Sequence, residues 1–152
     1  MSDTTARQVS ATRVIHAPPE QIFELLADPS AHARFDGSGS VQRPRGGAPA
    51  RLALGARFGM DMKIGLPYKI TSEVVEFEEG RRIAWRHYGH HVWRYELEPV
   101  EGGTQVTETF DWGVARFPPF YEWIKAPKKN HESMVATLDR LAALVEREGT
   151  EA

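Results

Sequence analysis

The sequence predicts an α+β domain in which an antiparallel sheet packs against one long C-terminal helix. Two observations lead there. Between Ala56 and Trp112 apolar residues recur with a period close to two and are cut by glycine-bearing turns, the pattern of strands with one buried face. From Lys128 to about Arg147 no Gly or Pro intervenes, and His131, Met134, Leu138, Leu141 and Val145 follow the spacing of a single helical stripe. At ~1.5 Å per residue such a helix is roughly 30 Å long, enough to cross a whole sheet.

In chain order, Gln8–His16 reads as a first strand. Pro18-Pro19-Glu20 opens a helix whose apolar side is Ile22, Phe23, Leu25 and Leu26, since proline is tolerated in a first turn. Asp28-Pro29-Ser30 breaks it, and Ser30–Phe35 forms a second short helix. "DGSGSV" at Asp36–Val41 lacks the Lys-Ser/Thr of a phosphate loop and reads as a turn. Arg43–Gly55, rich in Gly, Pro and Ala, is a loose stretch. Phe58, Met60, Met62 and Ile64 then alternate with Arg57, Gly59, Asp61 and Lys63 as a strand. Tyr68–Glu78 is another strand, with a parity change at Val74-Val75 that predicts a bulge. Arg81–Tyr88, Val92–Val100 and Thr104–Trp112 complete the set.

The totals bound the function. At 152 residues the chain is read as one domain, residues 1–152, with one site. A formal charge of −2 with interspersed signs recommends neither nucleic acid nor an anionic membrane as partner. With no cysteine, thiolate chemistry is excluded and a metal would need His, Asp and Glu. The polar start "MSDTTARQ" lacks a signal-like apolar region and no apolar run is long enough to span a bilayer, so a cytoplasmic protein, monomeric or weakly dimeric and without cofactor, is the expectation.

The richest stretch is "WRHYGHHVWRYE" from Trp85 to Glu96. A three-residue loop Gly89-His90-His91 sets His87 opposite Trp93 and Trp85 opposite Tyr95, while a Gly102-Gly103 turn sets Trp93 opposite Trp112, Tyr95 opposite Phe110 and Leu97 opposite Glu108. Both turns direct Trp85, His87, Trp93, Tyr95, Leu97, Phe110 and Trp112 inward. His90 and His91 then sit at the hairpin tip in solvent, the three imidazoles do not converge, and no metal site is expected. Polar groups on the inward stripes, namely His87, Tyr95, Glu108 and His131, are costly to bury in a plain core and suggest a ligand-filled space. His87, Trp93, Trp112 and His131 ring its mouth in this reading. The connector "GVARFPPFYEWIKAP", carrying Phe117, Phe120, Tyr121 and Trp123, suits an apolar lid.

"VIHAPPEQIFELLADPS", "VVEFEEGRRIAWR" and "GGTQVTETFDW" together make nearly the whole chain resemble the START-like (SRPBCC) helix-grip superfamily, which includes lipid-transfer domains, birch-pollen-allergen-like proteins and polyketide cyclase/dehydrase proteins. The resemblance implies a curved antiparallel sheet of about seven strands wrapped around the C-terminal helix, two short helices after strand one, and an apolar cavity between sheet and helix. It also implies that the first strand lies beside the last; Arg13, which shares parity with Ile15, would then face inward, where either it pairs with Glu108 or the two serve a functional role. Without that cation, desolvation would raise the Glu108 pKa and make it a candidate acid.

Three functions follow. The favoured one is a non-catalytic carrier or sensor of a small hydrophobic molecule, a lipid, isoprenoid or aromatic polyketide. Met60, Met62, Trp85, Trp93, Phe110, Trp112 and Met134 give it contact area, and His87, Tyr95 and His131 orient a polar end. The second is a cofactor-independent polyketide cyclase/dehydratase with His87 as base and Tyr95 or His131 as donor, Glu108 being a further candidate. The third is a protein-interaction module of the co-chaperone type using the outer sheet face, where Arg86, Arg94, Glu96 and Glu98 give balanced charge suited to solvent.

Overall fold

The computed structural model describes residues 7–38, 41–44, 49–64, 66–87 and 90–150. Strand β1 (Gln8–Ile15) leads into helix α1 (Pro19–Leu26), a 3-10 turn (Pro29–Ala31) and helix α2 (His32–Phe35). Strands β2 (Val41–Pro44), β3 (Arg57–Ile64), β4 (Leu66–Glu78), β5 (Arg82–Arg86), β6 (Val92–Val100) and β7 (Gly103–Asp111) follow. Helices α3 (Pro118–Trp123) and α4 (Ala126–Thr150) end the described chain. The strands form one antiparallel sheet in the order β1-β7-β6-β5-β4-β3-β2, so β1 does lie beside β7. Tyr88 and Gly89, part of the expected first hairpin, lie outside the described residues.

Local chemistry accounts for the opening. Pro18 is extended and starts α1, which buries Ile22, Phe23 and Leu26. Asp28 does more than break that helix. Its Oδ1 accepts from Ser30 N at 2.9 Å and caps the next turn, satisfying a donor at a helix start. The register of β4 against β5 shifts between Val74 and Glu76, the bulge that the change of parity at Val74-Val75 predicts. Two elements depart from expectation. β2 runs from the end of the expected Asp36–Val41 turn into the start of the loose stretch, where four residues are too few to show alternation, and the connector before α4 is helical over α3, with its prolines in the first turn.

Both hairpins of the central ribbon pair two residues away from the expected register. Trp85 faces Trp93 and Ile83 faces Tyr95, because the strands close at the Arg86–Val92 pair and His87 N–H donates to His91 O at 3.1 Å beyond it. Trp93 faces Phe110, Tyr95 faces Glu108 and Leu97 faces Val106, because the turn is Glu101-Gly102. A shift of two leaves side-chain parity intact, so the same residues point inward. The two glycines serve different ends. Gly102 holds φ at +83°, whereas a Cβ on Gly103 would lie 2.2 Å from Ile15 O in β1.

Helix α4 lies across β1 and β7 and against α2, burying Met134, Leu138, Leu141 and Val145. The chain after α2 is fastened to it. Gly37 N–H donates to Thr137 Oγ1 at 2.8 Å, Arg140 Nη1 donates to Asp36 O at 2.7 Å, and a Cβ on Gly37 would lie 2.4 Å from Ser133 O. On the far side of the sheet Arg94 Nε donates to Glu76 Oε1 at 3.0 Å and Arg82 Nη2 to Glu96 Oε2 at 3.2 Å, so that face answers its own charges.

Candidate functional site

A cavity of about 430 Å³ lies between the concave sheet face and α2, α3 and α4. Its floor follows from strand pairing. Phe58 opposite Ser72, Met60 opposite Ile70 and Met62 opposite Tyr68 come from β3 and β4, and Trp85 opposite Trp93 and Tyr95 opposite Glu108 continue across β5, β6 and β7. Phe110 of β7, opposite Trp93, belongs to the same floor, and Met134 of α4 closes the cavity from the helix side. Of the side chains expected there, Met60, Met62, Trp85, His87, Trp93, Tyr95, Glu108, Phe110 and Met134 are brought together.

Two expected members lie elsewhere. Trp112 stacks on Phe110 (5.5 Å between centroids, 22° between planes) and is buried behind it, with Nε1 lacking a partner. His131 is half-buried on α4 one turn before Met134, and the helix presents Asn130, Ser133 and Thr137 to the cavity instead. A helical stripe read from apolar residues alone misses that polar edge, although its three-and-four spacing runs beside the stripe. His91 is the reverse case. Placed in solvent by the three-residue loop, it lies inside the wider one, stacked on His87 with centroids 4.8 Å apart and with Nδ1 3.0 Å from Tyr121 Oη. Tyr121 and Ile124 supply the inner side of the α3 segment, while Phe117 and Trp123 are 67% and 79% exposed, so only part of the expected lid faces inward.

His32 carried no signal in the sequence. The 3-10 turn delivers it into the site, 5% exposed, with Nε2 at 2.9 Å from Leu26 O and its ring stacked on Trp85.

Electrostatics concentrate on one pair. Tyr95 O–H donates to Glu108 Oε2 at 2.9 Å, and Glu108 Oε1 is buried without a partner. The expected ion pair with Arg13 does not form. Arg13 faces Val106 across the β1–β7 pair and binds Asp139 of α4 at the surface, whereas Ala11 stands opposite Glu108. Left without a cation, the Glu108 carboxyl is pushed up to about 8 by burial, partly offset by the Tyr95 bond. Burial, then the Glu108 charge, raises Tyr95 well above the usual phenol value. His87 is held well below the ordinary imidazole value by burial and by His91, and its Nδ1 has no partner. Burial lowers His91 to about 4. At neutral pH the cavity therefore holds neutral imidazoles and a protonated Glu108. Among the described residues lining it there is no Lys or Arg, and its acids are Asp36 and Glu108.

Residues 6–146 match the model of a family described as polyketide cyclase/dehydrase and lipid transport. An uncharacterized protein of Mycobacterium tuberculosis is 38% identical over 146 residues, 92% of this chain and 65% of that protein, so the chain spans about two thirds of the length of this curated relative. Among solved structures, a protein of Nitrosomonas europaea superposes with a TM-score of 0.75 at 17% identity, covering 94% of this chain and 96% of that one. A polyketide-cyclase-like protein of Corynebacterium glutamicum superposes with a TM-score of 0.61 at 19% identity, covering 95% and 92%. At these identities the structural likeness is one of fold.

Proposed function

The chain belongs to the polyketide cyclase/dehydrase and lipid-transport family, and from that premise we propose that it binds a small hydrophobic molecule, carrying or sensing it without altering it. The observation that carries this reading is a chamber of about 430 Å³ walled by Met60, Met62, Trp85, Trp93, Phe110 and Met134. That volume lies in the range of small-molecule sites, and thioethers and rings adapt to irregular apolar shapes. His87, Tyr95 and Glu108 orient the polar end, while Trp112 and His131 lie outside the wall. A lipid, an isoprenoid and an aromatic polyketide all fit this description.

The purified protein examined by native mass spectrometry should carry a non-covalent apolar compound in about one-to-one ratio. Ile70→Trp, which fills the chamber from β4, should release it while the circular dichroism spectrum stays that of the parent. Binding that survives this change would refute the reading.

One observation favours a second reading, a cofactor-independent cyclase or dehydratase. A carboxyl kept protonated at neutral pH by burial can protonate a substrate carbonyl oxygen while a neutral imidazole removes a proton from the neighbouring carbon. His87 is the base and Glu108 the acid in this scheme, with Tyr95 positioning Glu108. His131, which does not line the chamber, is left out. The low proton affinity of His87 weakens that base and ranks the scheme second. Conversion of an added polyketone, abolished by Glu108→Ala and retained by Arg94→Ala, would replace the carrier reading with this one.

A further inference from the structure

We propose that the cavity selects uncharged ligands bearing an acceptor oxygen, which the unpartnered Oε1 of Glu108 holds, and rejects carboxylate ligands of the same shape. The inference rests on the cavity being a ligand site, and it adds the chemical class of the occupant. Glu108 is 3% exposed, and its Oε2 already accepts from Tyr95 O–H at 2.9 Å. The carboxyl proton therefore resides on Oε1, a buried donor with no acceptor supplied by the chain. Unmade buried hydrogen bonds are costly, so a ligand that brings an oxygen there gains by completing one.

The charge lining the wall sets the other half of the selection. The titratable groups that share the cavity with Glu108 are Tyr95 from β6, His87 and His91 from the segment before it, Tyr68 from β4, Tyr121 from α3, and His32 and Asp36 from α2 and its end. The three histidines are neutral at pH 7, since burial lowers each of them, and Asp36 and Glu108 are acids. No described lining residue is a lysine or arginine. A carboxylate entering such a space loses its hydration and meets no cation, whereas a ketone of equal size loses little. Fatty acids and other anions are thus poor occupants of a chamber whose apolar walls alone would accept them.

Equilibrium dialysis with a near-isosteric pair, 2-acetylnaphthalene and 2-naphthoate, tests this on the unmodified protein, with 2-ethylnaphthalene as the oxygen-free member. At pH 7 the ketone should bind at least about tenfold more tightly than the carboxylate and more tightly than the hydrocarbon. Raising the pH through about 8 ionises Glu108 and should weaken ketone binding. Glu108→Gln should remove that pH dependence, because an amide does not titrate there. Equal affinity for ketone and carboxylate would overturn the inference and leave the binding reading standing. A hydrocarbon that binds as well as the ketone would overturn the assignment of Oε1. Absence of binding by all three would overturn both the inference and the reading beneath it.

Discussion

His32 lies flat against Trp85, ring centroids 4.9 Å apart and planes 21° from parallel, so an imidazole from α2 and an indole from β5 hold the two sides of the cavity together. Burial lowers the pKa of His32, as it does for His87 and His91. The unfolded chain takes up these protons below the ordinary value of 6.5 and the folded chain does not, so their contribution to stability is complete above that value. It is lost as the pH falls toward the folded values, about 4 for His91. The melting temperature should drop between pH 7 and pH 5. His87→Phe should make that decline shallower in differential scanning calorimetry, and an equally steep decline in the variant would contradict the assignment.

Glu108 acts on the other side of neutrality. Its folded pKa of about 8 stands above the ordinary carboxyl value of 4.5, so across that interval the unfolded chain ionises while the folded chain keeps its proton. Stability is drained as the pH rises through the window. Glu108→Gln should match the parent near pH 5 and exceed it near pH 8 by on the order of 1–3 kcal/mol in urea unfolding. A constant difference at both pH values would show that Glu108 is not protonated in the fold.

The glycine pair after β6 separates two kinds of cost. Gly102→Ala forces an L-residue to φ +83° and should destabilise by about 1 kcal/mol. Gly103→Ala sets a methyl 2.2 Å from Ile15 O, which belongs to a paired strand and cannot step aside, so its loss should be larger, about 2–3 kcal/mol. Chemical denaturation of the two variants gives the order directly.

Two residues of α4 with the same burial should respond differently to truncation. Leu141 is fully buried, is not part of the cavity wall, and should lose about 2–5 kcal/mol on change to Ala. Met134 is equally buried but lines the cavity, so fewer contacts are lost and Met134→Ala should cost less. It should also admit bulkier ligands. Equal losses would mean that the space beside Met134 is tightly filled.

Side-chain direction is legible in the sequence because a strand's period of two survives an error of two in register. Trp85, Tyr95 and Phe110 would point inward under either pairing. The register itself was hidden in the Gly102-Gly103 pair, where one glycine makes the turn and the other makes room for β1, a neighbour far away in the chain. His91 lies in the wall and not in solvent for the same kind of reason, since its carbonyl accepts from His87 N–H. Arg13 shares the parity of Ile15 but lies where α4 offers Asp139, and the carboxyl it was expected to neutralise faces Ala11 instead. His32 and Thr137 depend on how α2 meets α4, a contact between segments about a hundred residues apart that local pattern does not encode.

The seat of Gly37 against Ser133 and Thr137 makes the chamber's two rims unequal. With backbone pressed on backbone there, the α2 rim works as a fixed jaw. On the α3 side the contact is between side chains, with Tyr121 Oη 3.0 Å from His91 Nδ1. If the chamber binds a ligand as proposed, substitutions at Tyr121 and Ile124 should change the size it accepts more readily than substitutions beside Gly37, where backbone is seated on backbone.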